Sequence, residues 1–271
     1  MQEGLQTRFI IYEILKILKT RVVNFNDIFL EKVKGKNLSV NDRKMIYNVV
    51  LNTMRYHSYV NKIIKTFSNK IDKSSNSYFL LLSAITQLLI LEFKDFAVIN
   101  STVELAKDKR IKAPKNFING ILRNINRNKQ NLLKQKNKFL YLPTWFTKKI
   151  SSWKKKEKEK LIKTISKEPT LHLVFKNTKD IKKIKSQYIQ TTDNSIALKN
   201  SVPINNIEGY SKGLWWVQDF SSMMPLYLTR NIKNKYIADL CAAPGGKSFQ
   251  LINYGAKIKA FEKNYKRAEL M

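Results

Sequence analysis

The residues whose types could do chemistry are concentrated in the stretch DLCAAPGGKS at positions 239–248. A short apolar segment, Tyr236–Leu240, predicts a buried β-strand, and Phe249–Ile252 begins a helical pattern. A strand, a glycine-rich turn and a helix together present backbone N–H groups and a helix N-terminus to a bound ligand. Gly245 and Gly246 have no Cβ atom, so the chain can turn sharply there and approach that ligand closely.

Two common phosphate-binding loops do not fit this stretch. A Walker A loop requires Gly-x-x-x-x-Gly-Lys-[Ser/Thr]. Gly246-Lys247-Ser248 matches the end of that pattern, but Cys241 stands where its first glycine should be. The dinucleotide fingerprint Gly-x-Gly-x-x-Gly is also absent. The sequence therefore argues against a P-loop ATPase or helicase.

The same string resembles the first motif of the S-adenosylmethionine-dependent ribosomal RNA (cytosine-C5) methyltransferases that carry a NusB-like N-terminal domain. This resemblance implies S-adenosyl-L-methionine as the cofactor, held by the loop. The alternating segment Lys257–Phe261 predicts a second strand, and the acid Glu262 follows directly after it. A carboxylate at the tip of a second strand can accept hydrogen bonds from a ribose diol. The cofactor-binding residues implied in this way are Cys241, Ala242, Ala243, Pro244, Gly245, Gly246, Lys247 and Glu262.

Composition points to a folded protein with a polyanionic partner. The chain has 271 residues, of which 43% are hydrophobic, and its formal net charge is +31. That length allows two domains with a sizeable core. The charge favours binding to a phosphate backbone, above all ribosomal RNA, with an anionic membrane surface as the weaker alternative. Heavy use of Lys, Asn and Ile indicates that compositional drift contributes part of this charge.

Cysteine and histidine are too scarce for several kinds of site. The single cysteine excludes an intramolecular disulfide and a cysteine-rich zinc site, and it is typical of a reducing compartment. Neither His57 nor His172 has a partner at metal-ligand spacing, so no metal site is expected. The most apolar run, Tyr78–Phe93, is too short for a comfortable membrane span and predicts a buried helix instead. With no signal peptide visible after Met1, we expect a cytoplasmic monomer.

The periodicity of residues 1–130 predicts an all-α bundle. Asp27–Lys34 forms a short helix, Ser39 to Asp42 offers N-cap residues, and a third helix runs from Arg43 towards Ile64. Four strings in this region resemble a NusB-type RNA-binding domain by their order and spacing. They are Asp42-Arg43, Asn52–Arg55, Asn100–Lys107 and Phe117–Arg123.

The remaining sequence predicts two further segments, which make the fold multidomain. A small α+β subdomain of ferredoxin-like character is expected over 140–210, with a strand in Pro169–Phe175 and a helix in Ile181–Tyr188. The first part of a Rossmann-like α/β methyltransferase domain is expected over 211–271. Its opening segment matches the family pattern Val-Gln-Asp-x-Ser, where Asp219 or Ser221 is expected to cap a helix.

The resemblance also implies what the chain lacks. Cytosine C5 is a poor nucleophile until a thiolate adds at C6, and the family supplies that thiolate from a Pro-Cys motif with a second cysteine in a Thr-Cys motif. Both motifs are expected beyond Met271, so we expect a C-terminally truncated member with no catalytic residue of its own. Cys241 belongs to the cofactor loop and is not expected to be the nucleophile. The alternative is a non-catalytic NusB-like RNA-binding protein with a vestigial methyltransferase segment.

Overall fold

The computed structural model describes residues 3–136, 140–200, 202–229, 231–269 and 271. The chain divides into two compact units, residues 1–167 (unit 1) and residues 168–271 (unit 2). Unit 1 is helical in its described residues. Its helices are α1 (Glu3–Thr20), α2 (Phe25–Val33), α3 (Val40–Arg55), α4 (His57–Phe67), α5 (Asn76–Leu89), α6 (Asp95–Ala106), α7 (Lys115–Arg127), α8 (Lys129–Lys134), α9 (Thr144–Lys149) and α10 (Lys155–Ile165).

Helix α5 is the centre of unit 1, as the apolar run predicted. Every residue from Ser77 to Leu89 is buried, and α1, α3, α4, α6 and α7 pack around the helix. A helix that is apolar on all sides can only be stable inside such a shell. Most of its polar groups are satisfied internally, since the hydroxyls of Thr86 and Thr53 lie 2.9 Å apart and Gln87 Nε2 donates to Ser83 Oγ at 2.9 Å. The exception is Gln87 Oε1, which is buried and accepts no hydrogen bond from the described residues.

The start of α3 confirms the predicted cap, and its end corrects a prediction. The Ser39 hydroxyl accepts from the Asp42 N–H at 3.1 Å, and the Asp42 carboxylate accepts from the Ser39 N–H at 3.2 Å, which forms a capping box. The predicted continuation of this helix to Ile64 is wrong. The helix ends at Arg55, because Tyr56 leaves helical geometry (φ −104°, ψ 19°) before α4 begins.

Unit 2 contains a four-stranded antiparallel sheet and a smaller β-α-β unit. The sheet has the strand order β2-β3-β1-β4, so β1 lies between β3 and β4. The elements of unit 2 are β1 (His172–Phe175), β2 (Tyr188–Thr192), β3 (Ser195–Leu198), β4 (Trp215–Val217), α11 (Phe220–Tyr227), β5 (Tyr236–Asp239), α12 (Gly246–Asn253), β6 (Lys257–Ala260) and α13 (Tyr265–Ala268).

The strand order is that of a ferredoxin-like split β-α-β sheet, with short 3₁₀ turns in the two crossover connections. The helix predicted over Ile181–Tyr188 is therefore wrong. A 3₁₀ turn, Thr178–Lys183, occupies the first part, and Tyr188 already belongs to β2. Ile181 and Ile184 are both buried, and their spacing of three residues is the repeat of a 3₁₀ turn.

Strands β5 and β6 are parallel and are joined through α12, which gives the predicted strand–turn–helix–strand order. The prediction that Tyr236–Leu240 is buried is wrong, because Tyr236 and Leu240 are both exposed. In the part of the chain that the structure describes, β6 is the one strand hydrogen-bonded to β5. The general layout, a helical bundle followed by a smaller sheet-containing region, is confirmed. The predicted boundaries at residues 130, 140 and 210 stay a prediction.

Candidate functional site: the turn between β5 and α12

The turn that follows β5 depends on one glycine. Gly245 has φ +102°, which lies in the region that side chains disfavour. A Cβ atom on Gly245 would lie 2.6 Å from Cζ of Phe249, whose ring covers the turn from the first part of α12. The Gly245 N–H donates to the Ala242 carbonyl at 2.7 Å, and its own carbonyl accepts from Phe249 at 2.8 Å as the helix begins. The backbone therefore makes a tight turn over residues 241–245, and α12 begins directly after it.

A cleft of about 250 Å³ lies against this turn. Its volume is slightly below the 300–1,000 Å³ usual for small-ligand pockets, so it can enclose part of a cofactor-sized molecule. Six of the eight predicted site residues line the cleft, whereas Gly245 and Glu262 do not. The lining residues are Val217, Gln218, Asp219, Ser222, Cys241, Ala242, Ala243, Pro244, Gly246 and Lys247.

Glu262 lies beside the turn although it is not part of the cleft wall. It follows β6 by two residues, and its side chain is 8% exposed. One carboxylate oxygen, Oε1, accepts from the Asn264 N–H at 2.9 Å, and the other, Oε2, lies 3.6 Å from Arg267 Nη1. Oε2 is buried and accepts no hydrogen bond from the described residues. The Asn264 N–H, with the nearby Arg267 charge, lowers the pKa of Glu262, so the carboxylate is ionised at neutral pH.

Arg267 ties the end of the chain to the same turn. Its Nη2 donates to the Ala243 carbonyl, while Nη1 faces Glu262. The Ala242 N–H also donates to the carbonyl of Phe261 at 3.0 Å. The turn after β5 and the segment after β6 are therefore held against each other, as expected where parallel strands end at one edge of a sheet.

Several polar contacts that orient this site were not predicted from the sequence. Ser248 donates to Asp239 Oδ2 at 2.7 Å, which links the first turn of α12 to the end of β5. Lys247 Nζ lies 3.0 Å from the Ser222 hydroxyl across the cleft. Asp239, Lys247 and Ser248 belong to the quoted motif, and Ser222 directly follows the Val-Gln-Asp-x-Ser segment. Their types were visible in the sequence, but their pairing was not.

A chain of side-chain amides lies beneath the cleft. Trp216 Nε1 donates to Gln218 Oε1 at 2.8 Å, and Gln218 Nε2 donates to Gln250 Oε1, also at 2.8 Å. Gln250 Nε2 then donates to the Met223 carbonyl at 3.1 Å. All three side chains belong to buried residues, so each hydrogen bond is made away from water. This network fixes α12 against β4 and α11, and Gln218 packs beside Gly246.

Asp219 caps α11, which confirms one of the two predicted caps. Its carboxylate accepts from the Ser221 N–H at 2.9 Å. The other carboxylate oxygen is 3.6 Å from His172 Nδ1, a buried atom without a hydrogen-bond partner among the described residues. His172 is thus a structural neighbour of the cleft, on β1. Cys241 is an exposed free thiol on the cleft wall.

No group of three or more His, Cys, Asp or Glu side chains is placed to hold a metal ion in the parts of the chain that the structure covers. Among those same residues, no helix has the length and apolar character needed to cross a membrane.

Comparison with known proteins assigns the helical part of the chain. The family model described as "NusB family" matches residues 7–127, which span α1 to α7. Residues 7–127 are therefore similar to the NusB family, and we refer to them as the NusB-family domain. The strings that suggested this domain, from Asp42 to Arg123, all lie inside the match, so the predicted resemblance is confirmed.

Two curated relatives are longer than this chain. The chain is 26% identical over 240 residues to "Ribosomal RNA small subunit methyltransferase B" of Proteus mirabilis, covering 82% of this chain and 56% of that protein. It is 25% identical over 202 residues to "Probable ribosomal RNA small subunit methyltransferase B" of Coxiella burnetii, covering 69% of this chain and 47% of that protein. The chain therefore spans about half the length of the curated relatives that it matches.

A solved structure shares the fold. The chain aligns with "Crystal Structure of PH0851" at a TM-score of 0.62, over 98% of this chain and 65% of that one. The sequence identity is 13%, so the likeness concerns the arrangement of the backbone alone. It covers the sheet-containing region as well as the NusB-family domain.

Proposed function

We propose that this chain is the RNA-holding and cofactor-binding part of a methyltransferase that modifies cytosine C5 of small-subunit (16S) ribosomal RNA. The turn at Gly245 carries the proposal, since its geometry excludes a side chain and opens the N-terminus of α12 into a cleft. The names of the relatives support ribosomal RNA as the substrate and methyl transfer as the reaction. The proposed cofactor is S-adenosyl-L-methionine, whose sulfonium would supply the methyl group.

The residues around the turn suit this cofactor. Backbone N–H groups at the start of α12 can donate to an anionic carboxylate, as helix N-termini commonly do. Glu262 carries a buried oxygen that accepts no hydrogen bond from the residues that the structure describes, and a ribose hydroxyl is a donor that would satisfy it. The exposed thiol of Cys241, with Ala242 and Pro244, would form a small-residue wall that a bulky ligand can approach closely.

The nucleophile of the reaction is proposed to lie in the half of the relatives' length that this chain does not span. Cys241 is the one cysteine in the sequence and lines the cleft, and we propose that it belongs to the cofactor site and is not the nucleophile. We therefore expect the 271-residue chain to bind the cofactor and RNA without transferring the methyl group. We propose that the protein is cytoplasmic, because a reducing compartment preserves a free thiol. We also propose that it is a monomer.

A second candidate is a non-catalytic RNA-binding protein. It is favoured by the extent of the NusB-family match, which covers residues 7–127 but no part of unit 2. Under this alternative the cleft is a vestige and binds no ligand. Cofactor binding by the isolated chain discriminates between the two candidates.

The test measures binding of S-adenosyl-L-methionine to the full chain by isothermal titration calorimetry. We expect saturable binding by the wild type and about a tenfold to hundredfold weaker binding by Glu262→Gln, which exchanges a charged hydrogen-bond acceptor for a neutral one. Glu269→Gln, an exposed acid in the same C-terminal segment, is the matched control and should bind as the wild type does.

Two results would contradict the proposal. The wild type could bind no cofactor, which would favour the non-catalytic candidate. Alternatively, Glu262→Gln and Glu269→Gln could bind equally well, which would remove Glu262 from the site. A parallel incubation with tritiated cofactor and naked small-subunit ribosomal RNA tests the expected inactivity, and label transferred by this chain alone would overturn that part.

A further inference from the structure

A cavity lies between α6 and α7 of the NusB-family domain, far in sequence from the proposed cofactor cleft. We call it the α6–α7 groove, and its volume is about 530 Å³. This is well inside the range of small-ligand pockets. The lining residues that matter below are Phe96, Ile99, Asn100, Val103, Asn119 and Arg123.

An unpacked aromatic ring marks one end of the groove. Phe96, the second residue of α6, is 82% exposed. A phenylalanine side chain this exposed adds little hydrophobic stabilisation to the free protein. Exposed aromatic side chains are common at binding surfaces. Ile99 and Val103 follow on the same helix and are half-buried against the core of the domain, so the groove has an apolar floor.

The opposite wall is polar and cationic. Arg123 Nε donates to Asn119 Oδ1 at 3.0 Å, which holds the exposed guanidinium along α7 at the edge of the groove. Asn100 adds a second side-chain amide from α6. Amides offer both a hydrogen-bond donor and an acceptor, and a guanidinium binds phosphate or stacks on a flat ring.

The charge balance of the groove favours an anion. Asp95 is the one acid among the lining residues, and Lys129 neutralises it through an ion pair of 2.7 Å. Lys94 and Arg127, both exposed, are next in sequence to the lining residues Asp95 and Asn126. The chain as a whole has a net charge of +31. A polyanionic ligand is therefore attracted to the groove and meets no unpaired carboxylate in its lining.

We propose that the α6–α7 groove binds an unpaired nucleotide of the RNA. Its base stacks on Phe96 above the apolar floor, its polar edge faces the amides of Asn100 and Asn119, and its phosphate pairs with Arg123. Aromatic platforms, amides and a guanidinium are the groups with which proteins hold splayed-out RNA bases. The inference rests on the RNA-binding part of the proposed function and is independent of the cofactor cleft.

An apolar peptide helix fits the groove less well. Such a helix buries an apolar stripe between two apolar walls. Here the apolar residues come from α6 alone, whereas α7 contributes Asn119, Arg123 and Asn126. A base presents a flat face, which matches the apolar residues of α6, and a polar edge, which matches the polar residues of α7.

The experiment measures fluorescence anisotropy of labelled single-stranded RNA and of an RNA duplex with the full-length chain, at several salt concentrations. Phe96→Ala should weaken single-strand binding about fivefold to a hundredfold, as the loss of one stacked base does, and leave duplex binding and the salt slope unchanged. Arg123→Gln should weaken binding and lower the salt slope by about 0.7, the value for one phosphate contact on a single strand.

Matched controls separate this site from general effects of charge or folding. Phe117→Ala removes an aromatic ring that is 40% exposed on α7 and is not among the lining residues. Arg21→Gln makes the same change of charge outside the groove. Both controls should retain wild-type preference for single strands over duplex, and circular dichroism should show that all four variants remain folded.

The outcomes distinguish this inference from the proposed function. If the wild type binds RNA and Phe96→Ala binds single strands as tightly as Phe117→Ala, the groove does not hold a base and the inference is wrong. A second result would also overturn the inference. If an acidic peptide binds the wild type without displacing RNA, and binds Phe96→Ala more weakly, the groove belongs to a protein partner. If the wild type binds no RNA at all, the RNA-binding part of the proposed function fails first.

Discussion

The change Gly245→Ala tests whether the turn after β5 is built for close approach. The backbone there has φ +102°, and an L-residue with positive φ costs about 1–2 kcal/mol. The new Cβ would lie 2.6 Å from Cζ of Phe249, so the ring must move away from Trp216, against which it packs edge to face. Overpacking of this kind costs about 1–3 kcal/mol. We expect a total loss of about 2–5 kcal/mol in the local stability of unit 2.

Gly255→Ala is a matched control for this change. Gly255 also has positive φ (+83°), but a Cβ atom there first meets Cγ of Lys233 at 3.2 Å, which is part of a flexible side chain. The backbone penalty of about 1–2 kcal/mol is therefore shared, whereas the clash with a packed ring is not. Replacing glycine by alanine also lowers the conformational entropy of the unfolded chain, which stabilises the folded state. This contribution is the same for both variants, so it cancels when their stabilities are compared. The difference should be about 1–3 kcal/mol.

Hydrogen exchange on peptides that cover residues 236–260 measures this local stability, and calorimetry measures cofactor binding. The opening free energy should fall more in Gly245→Ala than in Gly255→Ala. The alanine at 245 should also weaken cofactor binding about tenfold or more, because the first N–H groups of α12 are displaced. Equal exchange and equal binding in the two variants would refute the reasoning, since the ring contact and the turn would then be irrelevant.

Two further predictions concern the helical domain. Thr86→Val should lower its stability by about 1 kcal/mol, because it removes a buried hydroxyl that is hydrogen-bonded inside the core, whereas the exposed change Thr66→Val should have little effect in urea unfolding. Burial, together with the charges of Lys19 and Lys73, lowers the pKa of His57, so the unfolded chain binds its proton more readily. Stability should therefore fall as the pH drops from 7 through about 6.5 to 5, and the difference in melting temperature between pH 7 and pH 5 should be smaller in His57→Gln; an unchanged difference would contradict this assignment.

The helical half of the fold was predictable because its signals are local. The apolar run around α5 and the cap at Ser39 depend on neighbours within one or two turns, and both predictions were confirmed. The break at Tyr56 was missed because no Gly or Pro marks it. Its side chain instead donates a hydrogen bond to the Ser166 carbonyl, 110 positions away, and such a contact leaves no trace in local periodicity.

The candidate site was predictable in its residue types but not in its pairings. The motif placed Gly245 in the turn and Glu262 beside it, because spacing along a β-α-β unit largely fixes both positions. The links from Ser222 to Lys247 and from Gln218 to Gln250 join segments that are separated in sequence. Side-chain amides and hydroxyls have many possible partners, so no pattern in one sequence selects among them.

The amide chain that starts at Trp216 makes the two sheets of unit 2 mechanically interdependent. Trp216 belongs to the antiparallel sheet, while Gln250 belongs to the helix that crosses the parallel pair, and Gln218 spans the gap between them. A shift of either sheet must therefore break a buried hydrogen bond or carry the other sheet with it. We therefore expect a mutation that displaces β4 to alter the cleft wall at Val217 and Gln218, so residues chosen for redesign of ligand preference need not touch the ligand.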